Sequence, residues 1–173
     1  MVNNLKKSSE FIIYLCGILL FSSVFMISAE VFLRKFFLFS FGGVDELSSY
    51  ILGICITWSL SYVLFEKMHI RIDIFYDKTK TQIKGLLDIL SIFLTLVFTV
   101  FLTYYSALVL LTSIDKNSTA NTPLGTPLWI PQSIWVIGFV FFLFCLLTLF
   151  FKAIKYFLKN KIDTDVSVKK EYE

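Results

Sequence analysis

Four long apolar runs constrain this chain more than any other feature. They cover residues 11–33, 47–65, 86–111 and 130–151. About 20 apolar residues in helix cross the roughly 30 Å hydrocarbon core of a bilayer. The first run is uncharged until Glu30, the third holds Asp88 near its start, and the second and fourth carry no charge. Backbone in lipid must satisfy its own hydrogen bonds, which an α-helix does within one segment. Strands of a membrane barrel would read instead as shorter, alternating segments. The expected fold is therefore an all-α integral membrane protein with four transmembrane helices.

Composition closes the other routes. Of the 173 residues, 57% are hydrophobic and only 17% are charged. A globule this small has too much surface for its volume to hide that apolar content from water. A soluble enzyme and a disordered chain are both excluded. The net charge of +3 does not point to nucleic acid, because the basic residues sit at the ends of apolar runs, where they suit lipid headgroups.

Those basic residues also orient the bundle. One side collects Lys6 and Lys7, five cations in the 67–84 connection and six after the fourth run; the other side holds Arg34, Lys35 and Lys116. The positive-inside rule then puts both termini in the cytoplasm, with Trp129 and Trp135 near the outer interface. Lys6 and Lys7 resemble the start of a signal peptide, but the apolar run behind them exceeds the 7–15 residues of such a segment, and the first span is expected to be retained. The domain plan is a membrane domain over residues 1–159 and a polar, disordered tail over 160–173. No internal repeat is visible, which argues against two inverted transporter halves.

Redox and metal chemistry lack their residues. Cys16, Cys55 and Cys145 each lie inside an apolar run, their number is odd, and no C-x-x-C occurs. His69 is the sole histidine, so a haem held by paired histidines is excluded. No cofactor and no catalytic residue is expected.

Several segments could carry function. Glu30 and Arg34 stand four apart and can pair on one helix face. In Gly42-Gly43-Val44-Asp45-Glu46 the glycines signal a turn, Asp45 can cap the second helix, and Glu46 suits the positive end of its dipole. After the second span, Ile70, Ile72 and Ile74 alternate with charge beside His69, as expected of a segment lying in the membrane interface between helices 2 and 3. Ser91, Thr95, Thr99 and Thr103 recur every four residues. They form a ridge that can contact another helix or bond back to its own backbone. All three prolines fall in residues 121–132, which reads as a stiff outer loop with Pro131 in the first turn of the fourth helix.

The order of these segments resembles one family. Arg34 closes the first span, and Asp45 and Glu46 open the second. A His-Ile-Arg-Ile-Asp stretch (residues 69–73) follows the second span, and Thr122-Pro123-Leu124-Gly125-Thr126-Pro127-Leu128-Trp129-Ile130-Pro131-Gln132 precedes the fourth. Over residues 10–155 the chain is similar to the small membrane subunit, Q or DctQ, of tripartite ATP-independent periplasmic (TRAP) transporters. The resemblance implies a bacterial inner-membrane importer of organic acids such as sialic acid or C4-dicarboxylates. A periplasmic substrate-binding protein would deliver the acid, and a large membrane subunit, here a separate chain, would carry it inward with sodium. The small subunit would pack on the large one's scaffold. Candidate partner contacts are Arg34, Asp45, Glu46, His69, Ser91, Thr95, Thr99, Thr103, Trp129 and Gln132. An accessory role agrees with the residues themselves, because the spans place no proline and no acid near their centres, where a sodium and carboxylate site would need broken helices. The alternatives are a self-sufficient small homo-oligomeric transporter or channel, which needs a central polar pathway, and a membrane enzyme, which needs paired ligands.

Overall fold

A computed structural model of the chain describes residues 2–66 and 81–171. Four helices carry the fold: α1 (Val2–Phe37), α2 (Val44–Phe65), α3 (Thr81–Asp115) and α4 (Trp129–Glu171). Each is long and apolar enough to cross a membrane. α1 begins nine residues before its apolar run, and α4 continues through the polar tail to Glu171. Extending a helix that packing has already nucleated costs little per residue. The interfacial stretch expected around residues 70–74, with His69, lies outside the described residues.

The helices stand in a row, not in a closed bundle. α1 packs on α2, α2 on α4, and α4 on α3, while α1 barely meets α4. The inner pair is correspondingly the more enclosed: the most apolar stretches of α2 and α4 are 28% and 33% buried, those of α1 and α3 only 11% and 6%. The core is a cluster of Leu64, Phe142, Cys145 and Leu146, flanked by Leu5 from α1 and by Ile92 and Leu96 from α3.

Small residues make the seams. The buried positions of α1 are Ser9, Cys16, Ser23 and Glu30, each seven residues from the last. On α3, Thr99, Ser106 and Ser113 repeat the same interval. A period of 3.5 keeps one stripe facing a neighbour along a gently supercoiled helix. Lipid offers apolar side chains no incentive to associate, so membrane helices gain most from small residues that let backbones approach. At the first seam the Cys55 thiol donates to the Cys16 carbonyl at 3.5 Å. Between α2 and α4 the approach is tighter. A Cβ placed on Gly138 would stand 2.6 Å from Thr57 Oγ1 and 2.9 Å from Trp58 Cδ1. Beside it, Trp58 Nε1 donates to the Ile134 carbonyl at 3.0 Å, and the Trp58 and Phe141 rings stack 6.0 Å apart. At the far end of the α1–α2 seam, Lys6 Nζ meets Glu66 Oε1 at 2.7 Å and sets the two helix ends level.

Candidate functional site

The end of the row that carries the α1–α2 and α3–α4 connections, the loop end, is organised by two buried carboxylates. Glu30 lies on the α1 seam and is 6% exposed. It accepts hydrogen bonds from the Ser40 hydroxyl and, at 3.0 Å, from the Phe41 N–H. The Gly42 N–H donates to Ser40 Oγ at 3.3 Å, which extends the hold along the connection. Glu30 and Arg34, expected from spacing to pair, do not come within ion-pair distance of each other, and Arg34 acts on Glu30 only as a nearby charge. The connection folds back over Glu30 and offers nearer donors, and Arg34 is left exposed at the surface.

Glu46 does the same for the other connection. It is 7% exposed, accepts from Tyr50 Oη at 2.7 Å, and accepts from the Thr122 hydroxyl of the α3–α4 loop. The two connections also touch directly. Gly43 caps α2 with φ 86°, and any Cβ there would overlap the Leu124 side chain. A Cβ on Gly42 would sit 3.7 Å from Pro123. Asp45 does not act as the helix cap: the left-handed turn at Gly43 starts α2 at Val44, which moves Asp45 into the first turn, exposed and beside the positive end of the helix.

The proline-rich loop is ordered by its own backbone. Thr119 and Pro127 form an isolated antiparallel bridge, Ala120 N–H donates to Thr126 O at 2.9 Å, and Leu128 N–H donates to Ser118 O at 3.0 Å. Asn117, at φ 46°, ends α3 in the left-handed conformation that asparagine tolerates better than most residues. Trp129 opens α4 and is 45% exposed. Gln132, one turn on, keeps Oε1 buried without a hydrogen-bond partner among the described residues.

Glu46, Asp45, Trp129 and Gln132 thus gather at one end with the proline-rich loop, and Arg34 stands at the same end. The hydroxyl ridge of α3 lies apart, along the helix. Its hydroxyls bond back: Thr95 to Ser91 O at 2.9 Å, Thr99 to Thr95 O at 2.8 Å and Thr103 to Thr99 O at 2.7 Å. Thr99, 1% exposed, is covered within the chain on the side where α3 meets α4, while Ser91 remains exposed. His69 lies outside the described residues. Sequence spacing missed the loop-holding role of Glu30, whose signal was an acid at the end of an apolar run. It also missed the close approach at Gly138, marked only by a glycine in mid-span. Among the described residues, no cluster of three or more His, Cys, Asp or Glu side chains could hold a metal ion.

No curated protein and no solved structure matches the chain. The family model for tripartite ATP-independent periplasmic transporters, DctQ component, matches residues 23–155. That stretch takes in α1 from Ser23 onward, all of α2 and α3, both interlocked connections, and α4 through Lys155. With four membrane-length helices and a family match over more than half its length, this chain belongs to the DctQ family, the small membrane component of TRAP transporters.

Proposed function

We propose that the chain is the non-catalytic small membrane subunit of a sodium-coupled TRAP importer in a bacterial inner membrane, with both termini cytoplasmic. Its partners are a separate large transport subunit, against whose scaffold it packs, and a periplasmic binding protein that delivers an organic acid of the sialic acid or C4-dicarboxylate type. The observation that carries this reading is the unbroken course of the helices. Ion and carboxylate sites in transporters are built from interrupted helices whose freed backbone faces the substrate. Here the hydroxyls of Thr95, Thr99 and Thr103 are spent on their own helix, and the row holds its seams shut with small side chains. Such a layer suits a scaffold. The interlocked loop end, with Asp45 exposed beside the proline-rich loop, is the surface for partner contact.

Reconstitution tests the assignment. The isolated chain in vesicles under a sodium gradient is expected to transport nothing, and addition of the large subunit with the loaded binding protein is expected to restore uptake. Saturable, sodium-dependent uptake by the lone chain would overturn the proposal in favour of a small homo-oligomeric transporter. A reporter fused after Glu173 reads the sidedness; activity in the periplasm would invert the orientation.

A further inference from the structure

The α1–α2 seam sets two of the chain's three cysteines against each other. Cys16 and Cys55 are 4% and 2% exposed, and the Cys55 thiol donates to the Cys16 carbonyl at 3.5 Å. The two side chains also interact with each other. They stand 39 residues apart in the chain, a separation that no short cysteine motif reveals. We propose that Cys16 and Cys55 are a redox pair, which a lipid-soluble two-electron oxidant closes into a disulfide that locks α1 to α2.

Register places the pair. Lys6 meets Glu66, Cys16 meets Cys55, and Glu30 takes the Phe41 N–H. Ten residues along α1 from Lys6 to Cys16 answer eleven back from Glu66 to Cys55, and fourteen from Cys16 to Glu30 answer fourteen from Cys55 to Phe41. One antiparallel register therefore runs the length of the seam, and the two cysteines share a layer of it. The next layer sets Ser23 opposite Ser48, both buried. Small side chains in successive layers let the backbones come close. A disulfide needs that approach, because its Cα atoms stand about 4.4–6.8 Å apart. A carbonyl oxygen lies about 2.4 Å from its own Cα, so the Cys55 sulfur already stands within about 6 Å of the Cys16 Cα. Rotation of the thiols between staggered positions about their Cα–Cβ bonds is the motion that remains. The step balances simply: each thiol gives up its proton, one S–S bond forms, and two electrons pass to the oxidant. Depth selects that oxidant. Cys16 lies about 15 Å along α1 from Lys6 and about 21 Å from Glu30, so an ion dissolved in water does not reach it, whereas a neutral molecule dissolved in lipid does. Cys145 differs: it is packed in the core with Leu64, Phe142 and Leu146. The lock would also add what the seam lacks. The charged contacts of α1 lie at its two ends, at Lys6 and Glu30, and its middle relies on packing and the one thiol hydrogen bond.

Thiol counting tests the pair in the complete chain, held in phospholipid vesicles. Samples are treated with iodine, which is neutral, enters lipid and leaves as two iodide ions, or with tetrathionate, an anion that stays in water. The chain is then unfolded in dodecyl sulfate, and its free thiols are labelled with a maleimide and counted by mass. Three labels are expected without oxidant. Iodine is expected to leave one, on Cys145, and to yield a proteolytic fragment pair joined through Cys16 and Cys55 that dithiothreitol separates. Tetrathionate is expected to leave three. Cys55→Ser, which introduces a residue the seam already uses, should yield no joined pair. The unfolding midpoint in dodecyl sulfate should rise on iodine treatment in the native chain and not in this variant. Three labels after iodine, a join that includes Cys145, or a join between two chains overturns the pair. Equal loss of thiols to tetrathionate overturns the selection by depth, and an unchanged midpoint in the joined chain overturns the lock.

Discussion

Gly138 is where α2 and α4 come closest, and substituting alanine there measures how far that approach holds the row together. In an exposed helix interior Gly→Ala gains about 1 kcal/mol from backbone propensity alone. At Gly138 the new methyl would meet Thr57 Oγ1 at 2.6 Å, Trp58 Cδ1 at 2.9 Å and Thr57 Cβ at 3.0 Å. None of these atoms is the free end of a flexible chain, because Thr57 is 2% exposed and Trp58 is tied to the Ile134 carbonyl. The helices must therefore part. A gap of 0.5–1 Å forfeits a quarter to a half of the dispersion energy at each contact, and overpacking of this kind costs about 1–3 kcal/mol. Set against the propensity gain, the net expectation for Gly138→Ala is a loss of up to about 2 kcal/mol. Gly53 supplies the control, because a methyl added there would have nothing within 4 Å, and Gly53→Ala should be neutral or stabilising. Unfolding in mixed micelles with rising dodecyl sulfate, followed by Trp fluorescence and circular dichroism, gives both values. Thr57→Ala on the Gly138→Ala background should recover part of the loss. If Gly138→Ala matches or exceeds the native protein, as Gly53→Ala does, the close approach is not what holds α2 to α4.

Trp58→Phe keeps the ring stack on Phe141 and removes the donor to Ile134; hydrogen bonds between membrane helices average about 0.6 kcal/mol, so a loss near that value is expected in the same unfolding assay, and no loss would show the bond to be idle. Gly43→Ala should loosen the loop end, through the strain of φ 86°, worth about 1–2 kcal/mol, and through overlap with Leu124; limited proteolysis of the α3–α4 loop should accelerate, and Leu124→Ala should relieve only the overlap. Lys6→Ala should leave stability almost unchanged in the same unfolding assay, because the two side chains of its ion pair are 42% and 29% exposed and water screens the charges; a loss as large as that of Gly138→Ala would mean the pair does more than level the helix ends.

The helices were legible because their signal is long. Runs of about 20 apolar residues admit one solution in lipid, and all four appeared where the runs lie. Helix ends were less legible: Asp45 looked like a cap because capping rules weigh residue type, while Gly43 took the place through its left-handed backbone. The α3 ridge shows a subtler limit. Ser91, Thr95, Thr99 and Thr103 attract notice at spacing four, yet the buried stripe runs Thr99, Ser106, Ser113 at spacing seven. Hydroxyls that bond back to their own helix can face any direction, so their spacing alone does not reveal a seam. Burial depends on which helix comes alongside, and the row order α1, α2, α4, α3 is not a property of any one segment. Glu30 and Glu46 were visible as acids at span ends. Their partners, Ser40 and Thr122, lie 10 and 76 residues away and depended on the fold of both connections.

The row has a consequence for how the protein is made. α1 and α2 are neighbours in sequence and in space, and so are α3 and α4. Each pair can leave the translocon as a finished antiparallel hairpin, in the order of its synthesis. Only the α2–α4 seam and the loop lock must wait until the last helix is inserted. The chain is therefore assembled from two halves, and residues 67–80 are the only covalent link between them. Co-expression of two fragments severed inside that link should yield a complex that purifies as one, joined at Gly138 and at Glu46–Thr122.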